Sequence, residues 1–163
     1  MKEEKSAAIL KKDFFRIKKR ENELFSVGLY KDNIYIWDIL IFGPNDTLYE
    51  NGIFPARMIF TKEYPNYPPA FKFLCRMWHP NIDENGNVCI SILHPGDDEF
   101  GYEATNERWM PVRDPESVII SIISLLSSPN VESPANVEAA QQLRKNKVIY
   151  EERVKEYVRK YCQ

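Results

Sequence analysis

Ala7, Leu10, Phe14 and Ile17 recur at intervals of three and four, which sets them along one side of a helix. The spacing predicts an amphipathic helix over 6–17. At ~100° per residue, Lys5, Lys12, Arg16 and Lys19 gather on the opposite side. Such a basic stripe reads either as a solvated face or as a docking surface for an acidic partner. The rhythm then shortens. Ile34–Phe42, Ile53–Phe60 and Ala70–Leu74 are short runs rich in β-branched and aromatic residues, the composition of strands. Gly43-Pro44-Asn45-Asp46 supplies turn chemistry after the first run. Tyr64-Pro65-Asn66-Tyr67-Pro68-Pro69 separates the other two. Its three prolines remove backbone donors, so this segment predicts a rigid surface crossing, with Tyr64–Pro65 a candidate cis bond. Consecutive strands with short connections predict an antiparallel meander.

After Trp109 the period lengthens again. Asp114 is a good N-cap, Pro115 suits the first helical position and Glu116 the positive end of the helix dipole. The helix they open, Glu116–Leu126, is apolar almost all round, which predicts burial. Two further helices are expected over about 135–145 and 148–161, the second with an apolar face of Tyr150, Val154, Tyr157, Val158 and Tyr161. No repeat, linker or low-complexity tract interrupts the chain. One α+β domain over residues 1–163 fits this order.

Composition narrows the class. A net charge of −2 and the absence of a basic–aromatic groove argue against nucleic acid as a partner. That balance conceals an asymmetry: eight Lys or Arg against three acids in the first twenty residues, and five acids with no base over 97–107. No apolar run approaches the roughly 18–20 residues that span a bilayer, and no signal-peptide pattern is visible. Cys75, Cys89 and Cys162 cannot all pair within the chain, so reduced thiols in a cytosolic compartment are expected.

Candidate chemistry centres on the stretch from His79-Pro80-Asn81 to Cys89. Asn85-Gly86 supplies the positive φ values of a tight reversal, and the Asp83-to-Asn87 run lacks the ligand pattern of a calcium loop. A reversal here returns Cys89 alongside His79 and Asn81. Three readings of Cys89 stand side by side. It is a small buried hydrophobe; or a zinc ligand, since Cys75 with His79 and Cys89 with His94 form two candidate pairs; or a nucleophile, with the Asn81 amide available to a developing oxyanion. The nucleophile reading accounts for more of the neighbouring residues. A histidine followed directly by proline is better suited to holding backbone than to shuttling protons, which argues against a cysteine protease.

These residues resemble the ubiquitin-conjugating (E2) enzymes. His79-Pro80-Asn81 with Cys89 matches their active-site segment. Gly43-Pro44-x-x-Thr47-x-Tyr49-x-x-Gly52-x-Phe54, Tyr64-Pro65-x-x-Pro68-Pro69, Trp109-x-Pro111 and Ser128-Pro129-Asn130 follow in the family's order. The insert at about 95–107, with Cys89–His94 before it and Ser133-Pro134-Ala135-Asn136-Val137 later, is similar to the acidic-loop subclass. That subclass serves cullin-type ligases and ligases of endoplasmic-reticulum-associated degradation. The resemblance implies a four-stranded meander flanked by an N-terminal helix, a central buried helix and two C-terminal helices.

It also implies a mechanism. Cys89 would accept ubiquitin as a thioester from an activating enzyme (E1) and pass it to a lysine with a RING-type ligase (E3), building proteasome-directing chains. Asn81 would support the oxyanion or the loop, and His79 would be structural. Asp97, Asp98, His94 and Ser133 would form the acceptor environment; Ser133 stands where many E2s carry aspartate. Lys5, Lys12, Arg16, Asn66, Met110 and Pro111 would bind partners. No metal and no cofactor are expected, ATP being used by the activating enzyme. The place implied is the cytoplasm, with recruitment to the endoplasmic reticulum surface by a partner. An E2-like module that positions ubiquitin without chemistry is the alternative, and loss of the cysteine would mark it.

Overall fold

The computed structural model describes the backbone of residues 1–163 and the side chains of all but Lys2. Helix α1 (Lys2–Lys19) precedes strands β1 (Phe25–Tyr30), β2 (Asn33–Phe42), β3 (Ile53–Ile59) and β4 (Ala70–Phe73); α2 (Pro115–Ser127), α3 (Val137–Lys145) and α4 (Lys147–Tyr161) follow. The strands form one antiparallel sheet in the order β1-β2-β3-β4, the expected meander within an α+β architecture.

Strand β1 is an addition to the three runs read from the sequence. Its turn is Lys31-Asp32, both left-handed at φ 50° and 58°, so a glycine-free reversal conceals the hairpin. The α1 boundary also differs. The helix starts at Lys2, four residues before the predicted start, because polar residues extend a helix without extending its apolar stripe.

Trp37, Ile39 and Ile41 of β2 sit opposite Met58, Ala56 and Phe54 of β3, and all six are buried. Burying a large apolar side chain contributes about 1.5–3 kcal/mol, so this face fixes the register: a one-residue slip would turn every member to solvent. On α1, Leu10, Phe14 and Ile17 are buried as the stripe predicts. Phe14 meets Trp37 edge-on at 5.3 Å. From Trp37 the rings continue to Phe60, Tyr64 and Trp109 at 5.1, 4.9 and 5.8 Å. The chain of rings joins α1, the sheet, the proline-dense segment and the Trp109 loop. Tyr64–Pro65 is cis, and the Trp109 indole donates to the Pro65 carbonyl at 2.9 Å.

Helix α2 begins with a capping box: Asp114 accepts from the Ser117 N–H at 2.9 Å, and the Ser117 hydroxyl accepts from the Asp114 N–H at 3.3 Å. Val118, Ile119 and Ile122 are fully buried, while Ile120 remains partly exposed. Arg16 and Arg20 reach from the end of α1 to Asp114 and Glu116 at 2.9 and 2.6 Å. On α4, Tyr150, Val154 and Val158 are buried, with Tyr157 and Tyr161 half-buried beside them.

Candidate active site

The reversal after Asn81 is built by backbone geometry. The Asp83 carboxylate accepts the Asn85 and Asn87 N–H groups, each at 2.9 Å. Gly86 turns at φ 88°, where a Cβ would lie 2.0 Å from the Phe73 carbonyl oxygen. Only glycine fits that approach, and the Phe73 N–H donates to the Gly86 carbonyl at 2.8 Å. This ties the turn to β4. Its far limb brings the Cys89 N–H onto the Asn81 carbonyl at 2.8 Å, so the expected juxtaposition of Cys89 and Asn81 is present.

His79 is wholly buried. Its Nδ1 accepts the Asn81 N–H at 3.0 Å, and its Nε2 donates to the Leu125 carbonyl at 2.9 Å. An amide N–H only donates and a carbonyl only accepts, which fixes the neutral Nε2–H tautomer. Burial lowers its pKa to about 4 against the opposing pull of the α2 carbonyls. Both nitrogens are engaged, so the ring has no lone pair for a proton from Cys89. What it holds is the end of α2, where carbonyls lack helical partners.

Asn81 is 2% exposed. Its amide nitrogen donates to the Asn130 carbonyl at 2.8 Å, and its amide oxygen accepts the Asn130 N–H at 2.8 Å. The side chain thereby closes a two-bond ring with the Ser128-Pro129-Asn130 segment. The adjacent Pro80 carbonyl accepts from both Ala135 and Asn136 N–H groups at 2.8 and 2.9 Å. Three distant stretches thus converge behind the cysteine.

Cys89 itself is exposed, at an open groove of about 450 Å³ that Asn81, His94, Asn130 and Ser133 also line. Partial desolvation, and then the negative charge of Glu103, push its thiol above the ordinary cysteine value. Glu103, Glu107 and Glu132 stand in the groove wall; Asp97 and Asp98 do not. Asp98 instead accepts the Phe100 and Glu103 N–H groups at 3.0 and 2.8 Å, which hold its carboxyl below the usual range. Asp97 accepts from the Thr105 hydroxyl at 3.4 Å. Glu103 is the hub: it meets His94 Nδ1 at 2.9 Å and Arg108 at 2.6 Å. Sequence reasoning overlooked these glutamates because only folding brings Glu103 and Glu107 of the loop together with Glu132 of the segment after α2, whereas Asp97-Asp98 announces itself by adjacency. Ser133 lies in the groove with a left-handed φ of 50°.

The two candidate zinc pairs do not assemble. Among the described residues, no three of the His, Cys, Asp and Glu side chains gather where they could hold a metal ion. Of the residues expected to meet partners, Lys5, Lys12, Asn66 and Pro111 are exposed and Met110 is half-buried. Arg16 is engaged by Asp13 and Asp114 at 3.2 and 2.9 Å. Beside them stand large apolar side chains that the sequence reading passed over: Phe15, 60% exposed, Tyr67 and Val112.

Comparisons with known proteins bear on this geometry. The family model "ubiquitin-conjugating enzyme" matches residues 9–158. Ubiquitin-conjugating enzyme E2 15 of Schizosaccharomyces pombe is 51% identical over 157 residues, 95% of this chain and 94% of that protein. A probable ubiquitin-conjugating enzyme E2 7 of Caenorhabditis elegans is 50% identical over 96% of this chain and 97% of its own. Human ubiquitin-conjugating enzyme E2 G2 is 47% identical over 131 residues, 80% of this chain and 79% of its own. With its meander sheet, its flanking helices and a match along most of its length, the chain belongs to the ubiquitin-conjugating (E2) enzymes, transferases that carry ubiquitin as a cysteine thioester.

Proposed function

We propose that Cys89 is the thioester-bearing cysteine and that this enzyme builds ubiquitin chains that direct proteins to the proteasome, working with a RING-type ligase. The observation that carries the site is the placement of the three thiols: Cys89 is exposed in the groove, Cys75 is half-buried and Cys162 is buried. In the first step the Cys89 thiolate attacks the thioester carbonyl on the activating enzyme, whose own cysteine leaves. In the second a lysine amine attacks the Cys89 thioester, an isopeptide bond forms and the Cys89 thiolate departs. The raised thiol pKa supports a persistent intermediate, because a more basic thiolate is a poorer leaving group. A positioned amine then has time to arrive before water.

The acceptor lysine has a reference pKa of about 10.4 and must lose its proton first. The glutamates of the groove wall, with His94 on Glu103, supply acceptors that orient and deprotonate it. Asp97 and Asp98 assist by shaping the loop that presents Glu103. Asn81 acts chiefly as loop support, since its amide is committed to Asn130. Lys5, Lys12, Asn66, Met110 and Pro111, with Phe15 and Val112, form the surface offered to activating enzyme and ligase. The enzyme works in the cytoplasm, and a partner brings it to the endoplasmic reticulum surface; among the described residues no helix is long and apolar enough to cross a membrane.

The test is a charging reaction with activating enzyme, ubiquitin and ATP, resolved on a gel with and without reductant. A reductant-sensitive ubiquitin-sized shift is expected. Cys89→Ser should replace it with a reductant-resistant ester or abolish it. A reductant-sensitive shift that survives Cys89→Ser would overturn the assignment. No shift while a second E2 charges in parallel would favour the non-catalytic module.

A further inference from the structure

Three sulfur atoms meet on the side of the molecule that the transfer chemistry does not use. Cys75 Sγ lies 3.7 Å from Met77 Sδ, and Cys162 Sγ lies 4.0 Å from the same atom. None of the three residues lines the Cys89 groove. We propose that Cys75, Met77 and Cys162 form a binding site for a single cuprous ion.

Geometry favours a three-coordinate soft metal. Metal–sulfur bonds of about 2.3 Å set sulfur–sulfur edges of about 4.0 Å around a trigonal ion. The two edges that share Met77 Sδ, 3.7 and 4.0 Å, match that spacing. Two thiols and a thioether are soft donors, the set that selects Cu(I). Zinc would need a fourth ligand in tetrahedral array. No histidine or carboxylate completes such a set among the described residues.

The three positions are held from independent directions. Cys162 caps α4, its N–H donating to the Val158 carbonyl at 3.1 Å, and its own carbonyl accepts the Ile53 N–H at 2.6 Å. Its thiol also reaches the Arg76 carbonyl at 3.4 Å. Cys75 and Met77 lie in the segment that leaves β4 for the His79 turn. Cys162 and Met77 are buried, whereas Cys75 is half-buried and provides the entry path. Binding would release the thiol protons to solvent and involves no change of oxidation state.

The experiment uses the full chain carrying Cys89→Ser, so that the exposed groove thiol does not compete. Cu(I) is supplied anaerobically with ascorbate and withdrawn with a chromogenic Cu(I) chelator. The expected result is one chelator-resistant equivalent per chain, three sulfur neighbours by X-ray absorption, and a Tm that rises on loading. Met77→Leu, close in shape, should weaken binding by about tenfold or more, and Cys162→Ser should abolish it. If Cys162→Ser fails to fold, Cys75→Ser at the more exposed position makes the same test. Loss of all copper to the chelator at one equivalent would overturn the proposal. So would unchanged affinity in Met77→Leu, or a Cys75–Cys162 disulfide formed in place of the loaded site.

Discussion

Burial keeps His79 uncharged: against the pull of the α2 carbonyls its pKa falls to about 4, compared with about 6.5 for histidine in an unfolded chain. Between those values the unfolded state binds the proton and the folded state does not. Stability therefore rises with pH through this window: the contribution is fully present above about 6.5 and lost as pH falls towards 4. At 1.36 kcal/mol per unit the loss approaches about 3 kcal/mol. Urea denaturation at pH 7 and pH 4.5 should reveal it, and His79→Gln should lower stability at pH 7 while flattening the pH dependence. A backbone-holding role for His79 was legible from Pro80 beside it. Its partner, the Leu125 carbonyl 46 residues away, was not, because no local pattern encodes where a helix end will dock. The same limit hid Glu103, Glu107 and Glu132. Local charge density drew attention to Asp97 and Asp98, yet Asp98 turns back upon its own loop.

Helix α2 illustrates what local chemistry does determine. Asp114, Pro115 and Glu116 mark its start in the sequence, and the capping box lies there. Asp114 also accepts Arg16 from α1, so one carboxylate serves two elements. Replacing Asp114 by alanine should cost about 1–2 kcal/mol, chiefly through the lost cap. Asp114→Asn should cost less, since it keeps the cap and loses a partly exposed ion pair worth about 0–1 kcal/mol. Chemical denaturation of the two variants separates the contributions. The reach of Arg16 across to α2 has a functional side as well: part of the basic stripe on α1 is consumed inside the molecule. Periodicity alone could place that stripe away from the core but could not say what else would cover it. Strand β1 marks the opposite case. Phe25, Val27 and Leu29 alternate properly, but Gly28 weakens the run and Lys31-Asp32 disguises its turn.

Across the whole molecule, two loops are organised differently. The proline-dense segment and the Trp109 loop are joined to the sheet by the chain of edge-on and tilted rings and by the indole–Pro65 bond, so they move with the core. The acidic loop projects, with Phe100 and Tyr102 at 77% and 87% exposed. Deleting Asp97–Tyr102 should leave ubiquitin charging within about twofold while reducing chain formation by about tenfold or more, since positioning of the acceptor amine is what is lost. Parallel charging and chain-building assays decide it; equal chain formation would show the loop to be a solvated charge run. The expected family architecture was recoverable because motifs scattered over most of the chain agree in order. The carboxylates that line the groove depended on how segments far apart in the chain close around it.

That closure has a consequence for how such an enzyme can change over generations. The Trp109 N–H meets the His94 carbonyl at 3.0 Å, and Arg108 grips the Gly96 and Pro95 carbonyls at 2.7 and 2.9 Å. The base of the loop is therefore fastened independently of its tip. Lengthening a loop whose ends are already joined adds only about 0.6 kcal/mol per doubling. Mutation can insert, delete or recolour residues at the tip while the cysteine and its supporting turn stay where they are. The chemistry displayed at the tip is thereby separated from folding, and selection can retune one with little penalty to the other.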